Sequence, residues 1–222
     1  MRRLLAWFLC ICLLGIPVRG EGREKLVALT FDDGPSGRFT RSLLDGLEER
    51  NAKATFFLCG YRMEQYPELT RQIFDSGHEI GLHGYSHKSM LKMCQRDIGR
   101  ELDKAMECVP EGCSVSFLRS PGGLCGKCAE VAAQERNLAL LTWSIDPRDW
   151  ATHDADAIEK EVIQHVRDGD VILLHDMSDS SVEAALTIID ELQEEGYRFV
   201  TATQLARSRG FSLTPGKTYR RF

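Results

Sequence analysis

Short runs of apolar, β-branched and aromatic residues alternate along the chain with longer segments of helical periodicity. Seven runs are typical of strands, namely 25–31, 54–58, 79–82, 115–118, 139–144, 171–174 and 198–201. Six segments are typical of helices, namely 39–50, 68–76, 90–108, 127–136, 155–167 and 182–195. This alternation predicts an α/β fold with a parallel sheet, either open or closed into a barrel.

Polar residues of unusual type follow the ends of five of these strands. They are Asp32 and Asp33, His83 and His87, Arg119, Asp146 and Asp149, and His175. In a barrel, the carboxyl ends of parallel strands form one face, where loops from different strands converge. The pattern therefore predicts a single site built from distant parts of the chain.

The amino-terminal segment differs from the rest of the chain. Arg2 and Arg3 precede an apolar run over 4–18, and Arg19-Gly20 precede a polar stretch. This is the architecture of a signal peptide, which we assign to 1–20. It predicts a secreted or cell-surface protein, and contact with a membrane only if the segment stays uncleaved as an anchor.

Composition fits one enzyme domain rather than a disordered or nucleic-acid-binding chain. The 222 residues are 43% hydrophobic and 27% charged, with a formal charge of −5. Loss of the signal segment would remove three arginines and make the charge more negative. An acidic protein is not steered to nucleic acid, whereas a neutral or amine-bearing glycan is a compatible partner. We expect a monomer.

Six cysteines follow the signal segment: Cys59, Cys94, Cys108, Cys113, Cys125 and Cys128. In an exported protein they can pair. Cys59 ends an apolar run, which favours a buried thiol and fewer than three bridges. For Cys125 and Cys128 we expect a local disulfide, or bonds to Cys108 or Cys113, in preference to a redox or zinc motif.

Two motifs have the composition of a metal site when they are taken together. Asp32-Asp33-Gly34 alone is ordinary turn chemistry, and a lone pair such as His83 and His87 is more often structural. At one end of a sheet, however, two imidazoles and a carboxylate supply three ligands and leave positions open for water, as a catalytic zinc site requires.

Five motifs in order resemble those of the polysaccharide deacetylase, or NodB-homology, family. They are Thr30-Phe31-Asp32-Asp33-Gly34-Pro35, His83 to His87, Arg119-Ser120-Pro121-Gly122-Gly123, Asp146-Pro147-Arg148-Asp149-Trp150 and Leu173-Leu174-His175. The resemblance covers about 24–207, which we assign as the catalytic domain, and leaves 208–222 as a C-terminal tail. It implies a distorted, incomplete (β/α) barrel with about seven parallel strands.

The resemblance also implies a role for each motif position. Asp33, His83 and His87 would be the metal ligands, Asp32 the base that deprotonates the attacking water, and His175 the acid. Arg119 would tether the base, and Asp149 would orient His175 and raise its basicity. The Gly122 N–H would hold the oxyanion, Trp150 would form a groove wall, and Leu173 would line the pocket for the acetyl methyl.

The chemistry of amide hydrolysis agrees with these implied roles. An amide carbonyl is a poor electrophile, so its hydrolysis needs an activated nucleophile and stabilisation of the oxyanion, and a zinc ion supplies both. The amine leaves only when protonated, which requires an acid on the side opposite the base. Zn²⁺ is the expected ion, with Co²⁺, Mn²⁺ and Ni²⁺ as alternatives.

Two positions depart from the family pattern. Gly84 stands directly after the first metal histidine, where a Ser or Thr is usual, so one hydrogen bond that fixes the loop is in doubt. Gly122 replaces the aromatic residue often found after the motif proline, which removes a possible wall of the sugar groove. We expect metal binding to survive both changes and substrate preference to differ.

The sequence therefore predicts a metal-dependent hydrolase that removes acetamido groups from an N-acetylated glycan, of the peptidoglycan or chitin type. The alternatives are an acetylxylan-type O-deacetylase and a non-catalytic glycan-binding module on the same fold. A module without activity would be favoured had Asp32 or His175 been replaced. A thiol redox protein using Cys125 and Cys128 is a further alternative with little support.

Overall fold

A computed structural model describes residues 23–222, and the predicted signal segment 1–20 lies outside the described residues. The strands are β1 (Lys25–Asp32), β2 (Ala54–Leu58), β3 (Glu79–Leu82), β4 (Phe117–Leu118), β5 (Ala139–Leu141), β6 (Val171–His175), β7 (Tyr197–Phe199) and β8 (Thr218–Tyr219). The helices are α1 (Arg38–Glu49), α2 (Gly60–Gln65), α3 (Pro67–Asp75), α4 (Gln95–Met106), α5 (Lys127–Gln134), α6 (Ala155–His165), α7 (Asp179–Glu194) and α8 (Ala202–Ser208).

The strands form one curved sheet in the order β6-β1-β2-β3-β4-β5-β8, and β7 pairs with the beginning of β1. All of these pairings are parallel. The prediction of an incomplete (β/α) barrel is confirmed. The barrel closes weakly at β6, where one bridge joins Ile145, after β5, to Ile172, and another joins Asp170, just before β6, to Arg221, just after β8.

Period-two alternation along the strands decides which side chains face the barrel interior. In β1, Val27 and Leu29 pack into the larger core under the helices, whereas Leu26 and Ala28 belong to the interior cluster. Continuing this alternation places Thr30 and Asp32 inside. The same rule applies to β6, where Val171 is interior, and it turns Leu173 and His175 inward.

The interior cluster fills the barrel beneath the carboxyl ends of the strands. Phe57, Phe117 and Leu141 come from three strands, and Leu205 of α8 and Tyr219 of β8 pack among them. This cluster supports the polar residues that follow the strand ends. The site therefore rests on a packed apolar floor rather than on an open channel.

Several elements differ from the predicted pattern. The predicted helix over 90–108 is a 3₁₀ turn at Met90–Lys92 followed, after extended Met93 and Cys94, by α4. The short helices α2 and α8 were not predicted because six or seven residues give too little periodicity. The tail 208–222 contains β8, which lies against β5.

Within residues 23–222, no helix combines the length and the apolar character needed to cross a membrane.

Candidate active site

Three potential metal ligands converge just beyond the ends of β1 and β3. Ligand atoms of Asp33, His83 and His87 all lie within 4.8 Å of one another. Asp33 Oδ1 is 3.3 Å from His83 Nε2 and 2.9 Å from His87 Nε2. Asp33 and His87 both adopt left-handed backbone conformations, with φ of 71° and 57°, which are uncommon for residues other than glycine, although Asp and His adopt them more readily than most, and which cluster at functional sites.

These donors fit a divalent cation. His83 Nδ1 lies 2.8 Å from the carbonyl oxygen of Arg119; because a carbonyl can only accept, Nδ1 carries the proton and Nε2 is free to bind metal. Asp33 Oδ1 is buried and makes no hydrogen bond of acceptable geometry despite its short contacts. A buried oxygen of this kind beside two imidazole nitrogens matches the donor set of a catalytic zinc site.

Electrostatics in this cluster favour the charged carboxylate. Burial by itself would raise the pKa of Asp33, but the facing imidazoles of His83 and His87 lower it well below its ordinary value. The contact with Asp33 in turn raises the pKa of His87. The negative charge at Asp33 therefore persists at neutral pH, as a metal ligand requires.

Asp32 is held beside the metal ligands by Arg119. The guanidinium Nη1 donates to Asp32 Oδ1 at 2.7 Å and to Thr30 Oγ1 at 2.8 Å, and the whole arginine side chain is buried. Other Arg119 nitrogens donate to the carbonyl oxygens of Leu141 and Thr142. The second oxygen of Asp32 lies 3.8 Å from His83 Nε2. One carboxylate oxygen is thus fixed, and the other faces the ligand cluster.

His175 lies beside Asp32 on the neighbouring strand, since the two residues are register partners in the β1-β6 ladder. Asp149 Oδ1 is 2.8 Å from His175 Nδ1, and Asp149 Oδ2 accepts from the His175 backbone N–H at 2.8 Å. Burial alone would lower the pKa of His175, but the hydrogen bond and charge of Asp149, with Asp32 and Asp33 beyond, raise it to about 9.

All ten predicted site residues meet around one cleft of about 350 Å³. Eight of them line it: Asp32, Asp33, His83, His87, Gly122, Trp150, Leu173 and His175. The remaining two, Arg119 and Asp149, are buried behind Asp32 and His175. Trp150 keeps 56% of its surface exposed, which leaves an aromatic face open at the rim.

Sequence reasoning missed Trp143 and gave no role to Asp146, and both residues line the cleft. Trp143 packs so closely on Gly123 that a Cβ there would lie 2.3 Å from its ring. It supplies an aromatic wall to the cleft, although the usual aromatic position is Gly122. The signal was present, because Ala139, Leu141 and Trp143 alternate on the inward face of β5 and its extension.

Asp176 is a second missed residue. It is completely buried, its carboxylate accepts from Thr40 Oγ1, and Thr40 Oγ1 accepts from the Ser36 N–H. Burial raises the pKa of Asp176 to about 7. This network ties the residue after His175 to the loop that carries Asp33.

The remaining histidines lie away from the ligand cluster. His78 is buried, and its Nδ1 accepts from the Ala54 N–H at 3.2 Å. His153 and His165 are exposed.

The cysteine pairing expected from the sequence is wrong, because all six cysteines of residues 23–222 carry free thiols. Cys59 is buried as expected. Cys125 is half-buried while Cys128 is exposed, so the two thiols occupy different surroundings despite their spacing. Burial raises the pKa of Cys125, whereas a redox thiol needs a lowered value.

A buried carboxylate at the end of one strand, an imidazole paired with a carboxylate on the next, and three potential metal ligands at the same cleft are the groups that a metal-dependent hydrolase on a (β/α) barrel needs. A family model described as polysaccharide deacetylase matches residues 19–140. The chain is 35% identical over 190 residues to a peptidoglycan-N-acetylglucosamine deacetylase of Bacillus cereus, covering 83% of this chain and 89% of the relative. This protein belongs to the polysaccharide deacetylase family.

Two further similarities bear on the activity. A chitooligosaccharide deacetylase of Sinorhizobium fredii is 34% identical over 198 residues, covering 82% of this chain and 92% of the relative. A family 4 acetyl xylan esterase from Clostridium thermocellum, solved with a cobalt ion, superimposes with a TM-score of 0.82 at 33% identity, covering 89% and 98% of the two chains. The predicted polysaccharide N-deacetylase class is confirmed, and the cluster of Asp33, His83 and His87 is a possible site for the metal on which the family depends.

Proposed function

We propose that the protein removes the acetyl group from N-acetylated sugars of peptidoglycan, with Zn²⁺ held by Asp33, His83 and His87. One observation carries the chemical part of the proposal. Asp32 and His175 are register partners on adjacent strands and line the same cleft as the three ligands. A base and an acid so placed can act on the two sides of an amide carbonyl.

The residues divide the reaction between them. When bound, the metal would polarise the acetyl carbonyl and lower the pKa of water. Asp32 accepts the proton of the attacking water, and the Gly122 N–H donates to the developing oxyanion. His175 donates its Nε2 proton to the amine as the carbon-nitrogen bond breaks, and acetate and a free amine are released.

Two buried residues hold these groups in their working state. Arg119 holds one oxygen of Asp32 and leaves the other facing the cleft. Asp149 accepts from His175 Nδ1, so the other ring nitrogen faces the substrate and the imidazolium is stabilised. Leu173, 3% exposed, offers an apolar surface to the acetyl methyl group.

Arg148 supports peptidoglycan as the substrate. Its guanidinium lies 5.4 Å from the centre of the exposed Trp150 ring at the rim of the cleft, and it forms no salt bridge with any described residue. Its backbone is held left-handed, at φ 57°, with its N–H bonded to Asp146 Oδ1. A free guanidinium suits a carboxylate, which muramic acid and peptide stems carry and chitin does not.

Acetate release from peptidoglycan, N-acetylglucosamine oligomers and acetylxylan tests the substrate. Peptidoglycan should give the highest kcat/KM. Because a charge-assisted hydrogen bond contributes about 1.5–3 kcal/mol, Arg148→Gln should lower kcat/KM on peptidoglycan roughly tenfold and leave the neutral oligomers unaffected. Arg71→Gln, at a surface ion pair, is the control. An equal effect on both substrates would exclude the carboxylate contact.

The role of the base is tested by Asp32→Asn. This change removes the proton acceptor and keeps the shape, so kcat should fall roughly 10²- to 10⁴-fold, while the zinc content of the purified protein stays the same. Asp75→Asn on the surface is the control. Normal turnover by the Asp32→Asn protein would refute the assignment.

O-deacetylation of acetylxylan is the second candidate, supported by the acetyl xylan esterase whose structure is similar. An ester needs less help from an acid than an amide does, because an alkoxide is a much better leaving group than the amide anion that would leave if the nitrogen were not protonated. Faster acetate release from acetylxylan than from either N-acetylated substrate would favour this candidate.

Export is part of the proposal, because peptidoglycan lies outside the cytoplasmic membrane. Arg2, Arg3 and the apolar run that follows support a cleavable signal. Sequencing the amino terminus of the protein recovered from the culture medium should begin at Glu21. Recovery of the full-length chain from the membrane fraction would instead support an anchor.

A further inference from the structure

We propose that Glu101, on α4, positions the loop that presents His87 to the metal. The inference rests on the proposed function of Asp33, His83 and His87 as ligands. It concerns a residue that belongs to none of the five motifs and does not line the cleft.

The two histidines are supported in different ways. His83 directly follows β3, its N–H donates to the Leu58 carbonyl at 2.9 Å, and its side chain is 2% exposed. His87 lies four residues further along, has a left-handed backbone, and its side chain is 43% exposed. The position of His87 therefore depends on the loop before it.

Glu101 binds that loop at its two central residues. Its Oε2 accepts from the backbone N–H groups of Tyr85 at 3.1 Å and Ser86 at 2.7 Å. The Ser86 hydroxyl lies 2.9 Å and 2.8 Å from the two carboxylate oxygens and donates to this carboxylate. Bonds from neutral donors to an ionised acceptor are stronger than neutral ones.

No basic side chain among residues 23–222 forms a salt bridge with Glu101, so the loop donors are the partners of its charge. The opposite side of the loop is held by α2, since the Gly60 and Tyr61 N–H groups donate to the carbonyl oxygens of Gly84 and Tyr85. The loop is thus bonded from both sides, by backbone groups of α2 and by one carboxylate of α4.

The Glu101 carboxylate reaches the loop beside Gly84. The family pattern places a hydroxyl residue after the first metal histidine, and here that position is a glycine with φ 75°. A Cβ at Gly84 would lie 3.8 Å from Glu101 Oε2 and 3.1 Å from Met90 Cε. The carboxylate therefore lies next to the position where the family's hydroxyl side chain would begin, and Ser86 provides a hydroxyl two residues later.

Zinc affinity, measured on the full chain by competition with a chromophoric chelator, tests the inference. Removing a partner that orients metal ligands lowers affinity roughly 10- to 100-fold, and we expect a loss in that range for Glu101→Ala. Glu101→Gln retains one acceptor oxygen and should lose less. Ser86→Ala removes only the hydroxyl and should also lose less than Glu101→Ala.

Asp103→Ala is the matched control, because Asp103 lies on the same helix and binds Arg136 at the surface. It should bind zinc like the parent protein. Zinc affinity equal to that of the parent in Glu101→Ala would overturn the inference. If that variant does not fold, unchanged affinity in both Glu101→Gln and Ser86→Ala would do the same. Failure of the parent protein itself to bind zinc would instead overturn the proposed metal site.

Discussion

At His175, two opposing effects set the charge of one imidazole. Burial favours the neutral ring, whereas Asp149 at 2.8 Å favours the imidazolium. The pKa of about 9 shows that the carboxylate prevails. His175 therefore holds its proton at neutral pH and loses it as the pH rises through this value, so the alkaline limb of activity should follow its titration.

Asp149→Asn should shift that alkaline limb to lower pH. Loss of the carboxylate leaves burial as the main effect on His175 and lowers its pKa by about 1–3 units, so the proton donor is lost earlier as the pH rises. The pH profile of kcat/KM checks this. Asp154→Asn, at the exposed cap of α6, is the control. An unchanged limb in Asp149→Asn would show that His175 is not the titrating acid.

Among elements, the loop from β4 to α5 has narrow steric limits. Gly122 and Gly123 both have φ of 73°, and Gly123 lies under the Trp143 ring. This packing fixes the loop that carries the Gly122 N–H and places an indole at the cleft wall. The left-handed conformation of Gly123 and the position of the Trp143 ring therefore depend on each other.

Gly123→Ala should disturb both features. The left-handed φ and the contact with Trp143 should cost roughly 1–3 kcal/mol of unfolding free energy, and kcat/KM should fall because the oxyanion donor and the cleft wall move together. Denaturant unfolding and acetate release check these effects. Gly112→Ala shares the left-handed φ, at 83°, with nothing within 4 Å of the new Cβ, so it should lose less stability and keep its activity.

For the whole molecule, the weak point is the closure of the barrel between β5 and β6. β8 lies against β5, and Tyr219 packs in the interior cluster at 6% exposure. The Tyr219 hydroxyl donates to the Ser212 carbonyl and accepts from the Thr214 N–H. The C-terminal tail is therefore part of the fold that supports the site.

Tyr219→Ala should cost about 3–5 kcal/mol, because it empties a position in the interior cluster. Tyr219→Phe keeps the ring and should cost about 1 kcal/mol for the lost hydrogen bonds. Thermal unfolding measures both. Equal, small losses in the two variants would mean that β8 contributes little to the barrel.

The sequence by itself determined the barrel fold and the kind of chemistry expected at the carboxyl ends of its strands. Ala54–Leu58 and Glu79–Leu82 form strands with the predicted bounds, because apolar runs of this length carry a local signal. The ordered motifs then identified ten site residues, which the structure brings to one cleft. Parallel strands place their carboxyl ends on one face, so the position of each residue directly after a strand was enough to predict that these residues converge.

Tertiary structure alone decided the contacts between segments with no local relation. Glu101 bonds to Ser86 across 15 residues, and Trp143 replaces an aromatic residue expected elsewhere. The tail enters the sheet as β8, and Cys125 and Cys128 remain thiols. These outcomes depend on distance and orientation in the folded chain. Spacing along the sequence does not encode them, because packing of remote side chains fixes which donors, rings and thiols meet.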